Sequence, residues 1–552
     1  MTPSSSPRPS YWPADTSRPV LELTAGDVLR RAAQAAPDRV ALAEAAPPGA
    51  SLTGADRADR TWTYARLLTD AEHAASWLAA RFAPGEHIAV WAPNVPEWVV
   101  LQYGAALAGL VLVTANPALH EAELEHVLGQ SHSAGLLLAD SFRGTDMSAR
   151  AQRLAPRLPH LRERVSFTGW LDEIRRTPTG PLPPVDPGAA AQVQYTSGTT
   201  GTPKGALLHH RGLVTNAAFV AERAQFPEGG TWATALPLFH TAGCGLSVLG
   251  TALRAGTLVL HQLFDPQLVL DSVQKWRATL FAGVPQMHAA LLAHPAFDSY
   301  DLQDLGILLS GGDLVPPELI AEAERRFGAR FSTVYGQTEL SPIVTQTSPD
   351  DTASDKQHTA GRPLPQVEVR IIEPGGIRTV PSGEPGEILA RGYQVMLGYH
   401  DLPDTDAAAR TIDPDGWLHT GDLGTMDERG YLAITGRLKD LIIRGGENIY
   451  PAEIETVLAA HPLVRQAAVL GVPDPGWGEQ IAAVISPADP GHPPTAAELH
   501  DHLRNVLAPH KTPRQWYVAG DIPANAMGKT QKFVLLRRIA DGELTALEDE
   551  KQ

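Results

Sequence analysis

Two hydrophobic periods alternate along most of the chain, one typical of helices and one typical of strands. A helix is predicted after the N-cap candidate Thr63, because apolar residues follow it at three- and four-residue spacing. They are Leu67, Ala71, Ala74 and Leu78. Apolar runs between such helices predict strands at His87–Trp91, Leu136–Ala139, Thr257–Leu260, Ile307–Ser310 and Arg330–Tyr335. This alternation is typical of doubly wound α/β layers.

The pattern changes in the last third of the chain. Val367–Ile372 and Glu387–Arg391 are predicted antiparallel strands on either side of the Gly- and Pro-rich turn region Pro374–Pro385. From Lys439 onward the pattern is that of a compact βαβ-like segment. Its predicted helices lie near Pro451–Ala460 and Ala496–Leu507. A second, smaller domain is therefore expected there.

One stretch is apolar enough to suggest a membrane span. Trp98 to His120 contains no Asp, Glu, Lys or Arg. Its glycines and the turn pair Asn116-Pro117 favour a buried helix from Pro96 to about Ala108, then a strand from about Leu110 to Thr114. We therefore expect a soluble protein with no membrane span. The Ser- and Pro-rich residues 1–19 lack the apolar segment of a signal peptide and are interpreted as a flexible tail.

Composition narrows the classes of function. Of 552 residues 43% are hydrophobic, which is enough for a large core. Lys and Arg number 45 and Asp and Glu number 62, so the net charge is −17. This acidity argues against nucleic acid or an anionic membrane as the main partner, because both require a basic face. The single cysteine, Cys244, excludes an internal disulfide and fits a reducing compartment, so the cytoplasm is the expected location.

The segment Tyr195–Gly205 carries the clearest chemistry. It reads Tyr-Thr-Ser-Gly-Thr-Thr-Gly-Thr-Pro-Lys-Gly, after an apolar strand from Val193 and before a helix-like run. Hydroxyls and backbone N–H groups of such a loop suit phosphate oxygens, and Lys204 adds a cation. An ordinary surface loop is the alternative, and the spacing is not that of a Walker A loop. A phosphate-binding loop is therefore predicted.

Seven further motifs follow in the chain. They are Leu236-Pro-Leu-Phe-His-Thr-Ala-Gly243, Ser310-Gly-Gly312, Tyr335-Gly-Gln-Thr-Glu339, Thr420-Gly-Asp422, Gly436-Arg-Leu-Lys-Asp440, Gly445-Gly-Glu-Asn-Ile-Tyr-Pro451 and Asn525-Ala-Met-Gly-Lys529. With Tyr195–Gly205 they make residues 20–540 resemble the adenylate-forming (AMP-binding) superfamily, of the acyl-CoA synthetase or fatty-acid–CoA ligase type. The resemblance implies an α/β fold. Residues 20–438 would form a large domain of doubly wound α/β subdomains and a β-rich subdomain, and residues 439–552 a small mobile α+β domain.

The resemblance also implies a two-step reaction. A carboxylate would attack the α-phosphate of ATP, giving an acyl-adenylate and pyrophosphate, and the thiol of coenzyme A would then displace AMP. Anionic repulsion is the obstacle, because a carboxylate must approach a polyphosphate. A Mg²⁺ ion, a lysine and N–H donors placed at the developing charge would supply most of the catalysis.

Residues that match the family's motifs take their roles from the resemblance. Those at the β- and γ-phosphates would be Thr196, Ser197, Gly198, Thr199, Thr200 and Lys204. Thr338 would bind the α-phosphate, and Glu339 would ligate Mg²⁺ together with Thr200. The residues around the adenine would be Gly311, Gly312, Asp313, Tyr335 and Gly336, and those at the ribose Asp422 and Arg437.

The C-terminal motifs imply a domain movement. Lys529 would bridge the attacking carboxylate and the α-phosphate in the first step. Lys439 would be the hinge about which the C-terminal domain swings, and Gly445 and Gly446 would then leave room for the pantetheine arm of coenzyme A. An exposed tail lysine, a surface lysine and a simple β-turn are the respective alternatives.

Three residues have roles that stay open. His240 lies where the family carries a gate at the carboxylate or thiol entrance, and a core histidine is the competing interpretation. Asp313 replaces the small residue that often follows Gly-Gly in the family, and it would bind the adenine amino group, meet a polar substrate group or face water. Cys244 is interpreted as a packing residue, because its apolar surroundings hold no activating group.

The acid and its acceptor also stay open. Phe239–Leu249 and Gly445–Glu455 look most like synthetases for medium-chain fatty acids, an aromatic acid fits nearly as well, and Thr241–Leu246 and Gly283–Met287 are the expected pocket lining. Alternatives to the synthetase are a stand-alone adenylation enzyme that serves a carrier protein or another acceptor, and an ATP-dependent diazotase that uses nitrite. A non-catalytic binding protein is the least favoured, and a homodimer is left open.

Overall fold

The computed structural model describes residues 8–47, 60–196, 203–402, 411–444, 447–524 and 530–547. The helices are α1 (Ala25–Ala35), α2 (Tyr64–Ala79), α3 (Pro96–Ala108), α4 (Glu121–Gln130), α5 (Met147–Leu154), α6 (Trp170–Arg175), α7 (His210–Arg223), α8 (Gly250–Leu253), α9 (Pro266–Lys275), α10 (Pro285–Leu292), α11 (Pro317–Phe327), α12 (Ala353–His358), α13 (Pro451–Ala459), α14 (Ala496–Arg504) and α15 (Lys532–Ala540).

The strands are β1 (Tyr11–Trp12), β2 (Val40–Ala45), β3 (Thr61–Thr63), β4 (His87–Trp91), β5 (Val111–Ala115), β6 (Gly135–Leu138), β7 (Ser141–Phe142), β8 (Thr145–Asp146), β9 (Glu163–Ser166), β10 (Ala190–Thr196), β11 (Lys204–His209), β12 (Thr231–Thr234), β13 (Thr257–His261), β14 (Leu280–Gly283), β15 (Ile307–Gly311), β16 (Arg330–Gly336), β17 (Ile343–Gln346), β18 (Arg362–Pro363), β19 (Val367–Ile372), β20 (Gly386–Gly392), β21 (Gly398–Tyr399), β22 (Leu418–Met426), β23 (Leu432–Arg437), β24 (Ile442–Arg444), β25 (Glu447–Ile449), β26 (Val464–Asp474), β27 (Gly478–Pro487), β28 (Gln515–Val518) and β29 (Thr545–Ala546).

The chain divides into two compact units. Trp12–Val369 and Leu389–His419 form the larger unit, and Met1–Tyr11, Arg370–Ile388 and Thr420–Gln552 form the smaller. The division falls within strands β1, β19, β20 and β22 of a five-stranded sheet, whose order is β1-β19-β20-β22-β23. The domain boundary expected at residues 438 and 439 stays a prediction.

Two mainly parallel sheets form the larger unit. One has seven strands in the order β21-β11-β10-β5-β4-β6-β9, and the other has nine in the order β18-β17-β16-β15-β14-β12-β13-β2-β3. Strands β4, β5, β6 and β9 pair in parallel in the first, as do β12 to β16 in the second. Phe281, Leu308 and Phe331 are part of the core at the second sheet. Non-consecutive parallel strands with intervening helices are the doubly wound architecture expected from the hydrophobic pattern.

The charge-free stretch forms a buried helix and strand, as predicted. Helix α3 has Pro96 at its first turn and ends at Gly109, whose φ of 70° lies in the left-handed region that glycine tolerates. All thirteen residues of α3 are buried, and Gly104 lies so close to α2 that a Cβ there would be 2.7 Å from Ala74 Cβ. Among the described residues, no helix is both long enough and apolar enough to cross a membrane.

A buried ion triad holds the start of α3. Arg60 donates to the Glu44 carboxylate from Nε at 2.8 Å and to the Glu97 carboxylate from Nη1 at 2.5 Å. The Glu44 and Glu97 side chains are only 6% and 2% exposed. Two carboxylates so far from water require the shared guanidinium, since an unpaired buried charge is strongly destabilising.

The smaller unit packs helices on a six-stranded sheet. The order is β25-β24-β27-β28-β29, and β26 pairs with β27. Ile454 of α13, Ile481 of β27 and Leu499 of α14 meet in its core. The helices predicted near Pro451–Ala460 and Ala496–Leu507 are confirmed as α13 and α14.

The flexible tail expected over residues 1–19 is wrong for Arg8–Tyr11. Ser10 donates its N–H to Val380 O at 2.8 Å and accepts from Ile371 N at 2.9 Å, and its side chain is buried. Backbone hydrogen bonds of this kind, which the Ser- and Pro-rich composition does not reveal, fix the segment to the five-stranded sheet beside β19.

Candidate active site

The segment Tyr195–Gly205 joins two antiparallel strands of the larger unit. Thr196, the last residue of β10, is paired with Lys204, the first residue of β11. The helix expected directly after this segment is wrong, because β11 precedes α7. The reason is strand pairing, since β11 pairs with β10 along its whole length and with β21 at Ala206 and Leu207. Ser197, Gly198, Thr199 and Thr200 lie outside the described residues.

The carboxylate of Glu339 is placed by a tight turn after β16. A short 3₁₀ turn, Thr338–Leu340, follows the strand, and both Thr338 and Glu339 are buried, the latter at 8% exposure. Gln337 donates its N–H to Pro342 O at 2.8 Å, which folds the chain back toward β17. A Cβ at Gly336 would lie 1.9 Å from Pro342 O, so only glycine allows this approach.

Two hydroxyl groups bind the same oxygen of Glu339. The phenol of Tyr399 donates to Oε1 at 2.7 Å, and the hydroxyl of Thr196 donates to it at 3.2 Å. The ammonium of Lys204 lies over the Tyr399 ring, 5.9 Å from its centroid, within reach of a cation–π interaction. The structure thus brings together Thr196, Lys204 and Glu339, three of the residues predicted to bind ATP or its metal.

Tyr399 was not predicted from the sequence. It lies on β21, whose register places it beside Ala206 of β11. Burial and the neighbouring Glu339 carboxylate raise its pKa well above the ordinary value, so the phenol remains a hydrogen-bond donor. Its local sequence signal is a Gly-Tyr pair in a short segment, which by itself indicates no site. Its partner Glu339 is 60 residues away along the chain, so the spacing gives no signal either.

The residues expected around the adenine lie at the ends of two parallel strands. Gly311 ends β15 and is paired with Val334 of β16, so Tyr335 is one residue further along. A Cβ at Gly311 would be 2.5 Å from Val334 O, and Gly312 has a φ of +84°. Carboxyl ends of parallel strands are the usual ligand-binding edge of α/β sheets. Asp313 is exposed and accepts the N–H of Leu314 at 2.9 Å, so its role stays open.

The residues expected at the ribose lie in the smaller unit. Asp422 of β22 is paired with Arg437 of β23, and Arg437 Nε is 3.0 Å from Asp422 Oδ1. The side chain of Asp422 is 7% exposed and that of Arg437 is 38% exposed. Thr420 accepts the N–H of Asp422 at 3.0 Å, which fixes the backbone of the Thr-Gly-Asp motif. Lys439 is exposed on a 3₁₀ turn, Leu438–Asp440.

His240 and Cys244 lie together after β12. His240 Nδ1 accepts the N–H of Ala242 at 3.3 Å, and burial lowers its pKa to about 4, so the ring is neutral at pH 7. The Cys244 thiol is fully buried in the π-helix Ala242–Leu249, between the amides of Gln192 and Gln194. Burial raises its pKa to about 12, which agrees with a packing role and excludes a ready nucleophile.

Lys529, Gly445 and Gly446 lie outside the described residues. Asp422, Arg437 and Lys439 belong to the smaller unit, whereas Thr196, Lys204, Glu339, Tyr335 and the Gly311-Gly312 pair belong to the larger one.

Known proteins are similar to this chain over nearly its whole length. Residues 29–400 match the family model "AMP-binding enzyme", and residues 453–529 match "AMP-binding enzyme C-terminal domain". YngI of Bacillus subtilis (strain 168), which carries the name putative acyl-CoA synthetase, is 39% identical over 546 residues, covering 94% of this chain and 97% of its own. A feruloyl-CoA synthase of Amycolatopsis sp is 39% identical over 477 residues, which cover 86% of this chain and 94% of the synthase. The crystal structure of ATP-bound MatB from Rhodopseudomonas palustris superposes on this chain with a TM-score of 0.82 at 29% sequence identity. The match covers 94% of this chain and 99% of the MatB chain.

The chain therefore belongs to the AMP-binding enzyme family, the adenylate-forming enzymes. Within that family it is an AMP-forming acid–CoA ligase. The resemblance and the α/β fold class expected from the sequence are both confirmed.

Proposed function

We propose that this chain couples a carboxylic acid to coenzyme A in two steps at the expense of ATP. In the first, an oxygen of the acid attacks the α-phosphorus, and the bond from that phosphorus to the pyrophosphate oxygen breaks. In the second, the thiol sulfur of coenzyme A attacks the acyl carbon, the bond to the AMP oxygen breaks, and the thiol proton passes to solvent. The acyl-adenylate is the product of the first step and the substrate of the second.

The contact of Glu339 with Thr196, beside Lys204, is the observation that carries the proposal. A polyphosphate at the β10–β11 hairpin would meet the Lys204 ammonium and the Thr196 hydroxyl at the base of the loop. Both donors to Glu339 bind Oε1, and within the described part of the chain no donor bonds to Oε2. A buried carboxylate would therefore present one oxygen toward the phosphates.

Such an oxygen suits Mg²⁺. Mg²⁺ prefers oxygen ligands and is commonly held by one or two carboxylates together with substrate phosphates. Among the described residues, no group of three or more His, Cys, Asp or Glu side chains is arranged to hold a metal by itself, which agrees with that mode. Glu339, with Thr200, would hold the ion, and its charge would offset the repulsion between the acid and the polyphosphate.

The remaining residues would orient the nucleotide. Thr338, buried beside Glu339, would donate to the α-phosphate. Asp422 would accept both ribose hydroxyls, a task suited to a carboxylate with two oxygens, while Arg437 holds it in place. Gly312, where a Cβ would have only Val284 within 4 Å, would leave space for a planar base beside Gly311, and Tyr335 would offer an aromatic face.

The second step requires a change at the active site. Lys529 would leave after adenylation, and Gly445 and Gly446 would replace it, with Lys439 as the hinge between a domain of residues 20–438 and one of residues 439–552. A cytoplasmic location and a homodimer also stay predictions.

A medium-chain fatty acid is the substrate class that we propose, with an aromatic acid as its rival. The sequence of Phe239–Leu249 supports the first, and the similarity to a feruloyl-CoA synthase supports the second. The pocket is expected near Thr241–Leu246 and Gly283–Met287. Both stretches lie in the larger unit.

The decisive experiment measures pyrophosphate release with a panel of acids, with and without coenzyme A, and identifies products by mass spectrometry. Octanoate, ferulate and benzoate sample the two acid classes. We expect release that depends on one acid and a CoA thioester as product. Acid-dependent release without a thioester would replace the synthetase by an adenylation enzyme for a carrier protein or another acceptor. Turnover only with nitrite and an arylamine would replace it by a diazotase.

Glu339→Gln tests the site itself. It should abolish adenylation, because a neutral amide is a much weaker ligand for Mg²⁺ than a carboxylate, and without the ion the repulsion between the acid and the polyphosphate is not offset. Glu324→Gln is the matched control, since Glu324 is also a shielded carboxylate but pairs with Lys356 at 2.5 Å. Equal activity in the two variants would contradict the assignment of Glu339.

A further inference from the structure

Tyr399 lies between the carboxylate and the ammonium of the candidate site. Its hydroxyl is 2.7 Å from Glu339 Oε1, and its ring lies under the Lys204 ammonium at 5.9 Å from ring centroid to Nζ. The hairpin strand that carries Lys204 and the turn that carries Glu339 are thus linked through one side chain. No motif singled out in the sequence includes this tyrosine.

The backbone on both sides of Tyr399 is fixed to β11. Leu397 donates its N–H to Leu207 O at 2.9 Å, and His400 donates to Gly205 O at 2.8 Å. Met396, three residues earlier, donates its N–H to the carbonyl of Glu339 at 2.9 Å. Backbone hydrogen bonds therefore hold the segment to both neighbours, and they place the phenol within hydrogen-bond distance of the carboxylate.

We propose that Tyr399 is a positioning residue that sets the orientation of the Glu339 carboxylate toward a divalent metal on ATP. Two donors on Oε1 hold the carboxylate plane and leave Oε2 directed away from them. Of those donors, the phenol is the closer by 0.5 Å (2.7 against 3.2 Å) and is carried by a half-buried ring. Hydrogen-bond partners of metal ligands act in this way, and their loss typically weakens metal affinity or activity about 10–100-fold.

The inference rests on the proposed function, because it takes Glu339 as the metal ligand. Its test measures binding directly, without turnover. Mn²⁺ is titrated into the protein with α,β-methylene-ATP, which cannot release pyrophosphate, and free Mn²⁺ is followed by electron paramagnetic resonance. Tyr399→Phe keeps the ring over Lys204 and removes only the hydroxyl. We expect it to weaken Mn²⁺ binding about 10-fold or more, and Glu339→Gln to abolish binding.

Tyr393→Phe is the matched control. Tyr393 is another half-buried tyrosine of the same segment, but its hydroxyl accepts from Asn216 Nδ2 at 3.3 Å and its ring packs edge-on against Phe219. Its Mn²⁺ affinity should equal that of the wild type. In turnover assays, the activity lost in Tyr399→Phe should be recovered at high Mg²⁺. Activity lost through structural damage would not be recovered in this way.

Three outcomes are distinguishable. Weaker Mn²⁺ binding in Tyr399→Phe but not in Tyr393→Phe, with turnover of Tyr399→Phe recovered at high Mg²⁺, supports the inference. Wild-type affinity in Tyr399→Phe, with binding lost in Glu339→Gln, overturns the inference and leaves the proposed function standing. Absence of Mn²⁺ binding to the wild type with α,β-methylene-ATP would overturn the metal role of Glu339, and the inference with it.

Discussion

Replacement of Asp422 by asparagine tests ribose recognition with little change in shape. The carboxylate is 7% exposed and accepts from Arg437, whose side chain is 38% exposed. When the negative charge is lost, the Arg437 guanidinium can still be solvated by water. The free energy of unfolding should therefore fall only slightly. The amide oxygen of the introduced asparagine can still accept one hydrogen bond, but no longer a charge-assisted pair.

The size of the effect follows from the lost acceptor. A hydrogen bond to a charged group contributes about 1.5–3 kcal/mol. Removal of one such bond to a ribose hydroxyl should weaken AMP binding by roughly 10- to 150-fold, since 1.4 kcal/mol corresponds to a factor of ten. The loss should be confined to ligands that carry the hydroxyl.

Calorimetric titration with AMP, 2′-deoxy-AMP and 3′-deoxy-AMP separates ribose recognition from general damage. Wild-type protein should discriminate against both deoxynucleotides, and Asp422→Asn should discriminate less. Asp70→Asn is the matched control, because Asp70 is also a buried carboxylate paired with an arginine, with Arg175 Nη2 2.7 Å from Oδ2. It should lower stability and leave the selectivity unchanged. Equal discrimination by the wild type and Asp422→Asn would refute the ribose assignment.

Two further predictions concern stability. Arg60→Met should lower the free energy of unfolding by about 3–5 kcal/mol in urea titrations, because it removes the guanidinium that neutralises the buried Glu97 carboxylate and bonds to Glu44. Adding Glu44→Gln and Glu97→Gln should restore much of the loss, and a cost below about 1 kcal/mol in the single variant would contradict the argument. Burial lowers the pKa of both His261 and His288 to about 4, against about 6.5 when unfolded. The unfolded state then takes up protons first as the pH falls, so stability should be highest above pH 6.5 and decline toward pH 4, by about 2 kcal/mol per histidine at pH 5. Urea midpoints that stay level from pH 7.5 to 5 would contradict these shifts.

Local elements of the fold could be read from the sequence almost residue by residue. The strand His87–Trp91 and the helix Pro96–Ala108 have the predicted bounds, because their signals lie within the elements or next to them. An apolar run of strand length, a proline at the first helical turn and a glycine at the C-cap act over a few residues and require no partner. Motif residues such as Glu339 were identified through the resemblance of short runs of the chain to the motifs of a known family.

Pairing between distant segments could not be read from the sequence. The run after the predicted phosphate-binding motif is strand β11 rather than a helix, because it pairs with β10 on one side and with β21 on the other. The same register brings Tyr399 to Glu339, 60 residues away. Ser10 joins a sheet through Ile371 and Val380, although its own segment looks like a tail.

The sequence by itself thus determined most of the elements, since these depend on residue types at short spacing, and its motifs indicated the class of chemistry through their resemblance to a known family. Tertiary structure decided which side chains share the site and what holds them, as Tyr399 does for Glu339. The physical reason is that the hydrogen bonds and buried charges of the site are made across sheet registers, and a register is set by the packing of whole strands.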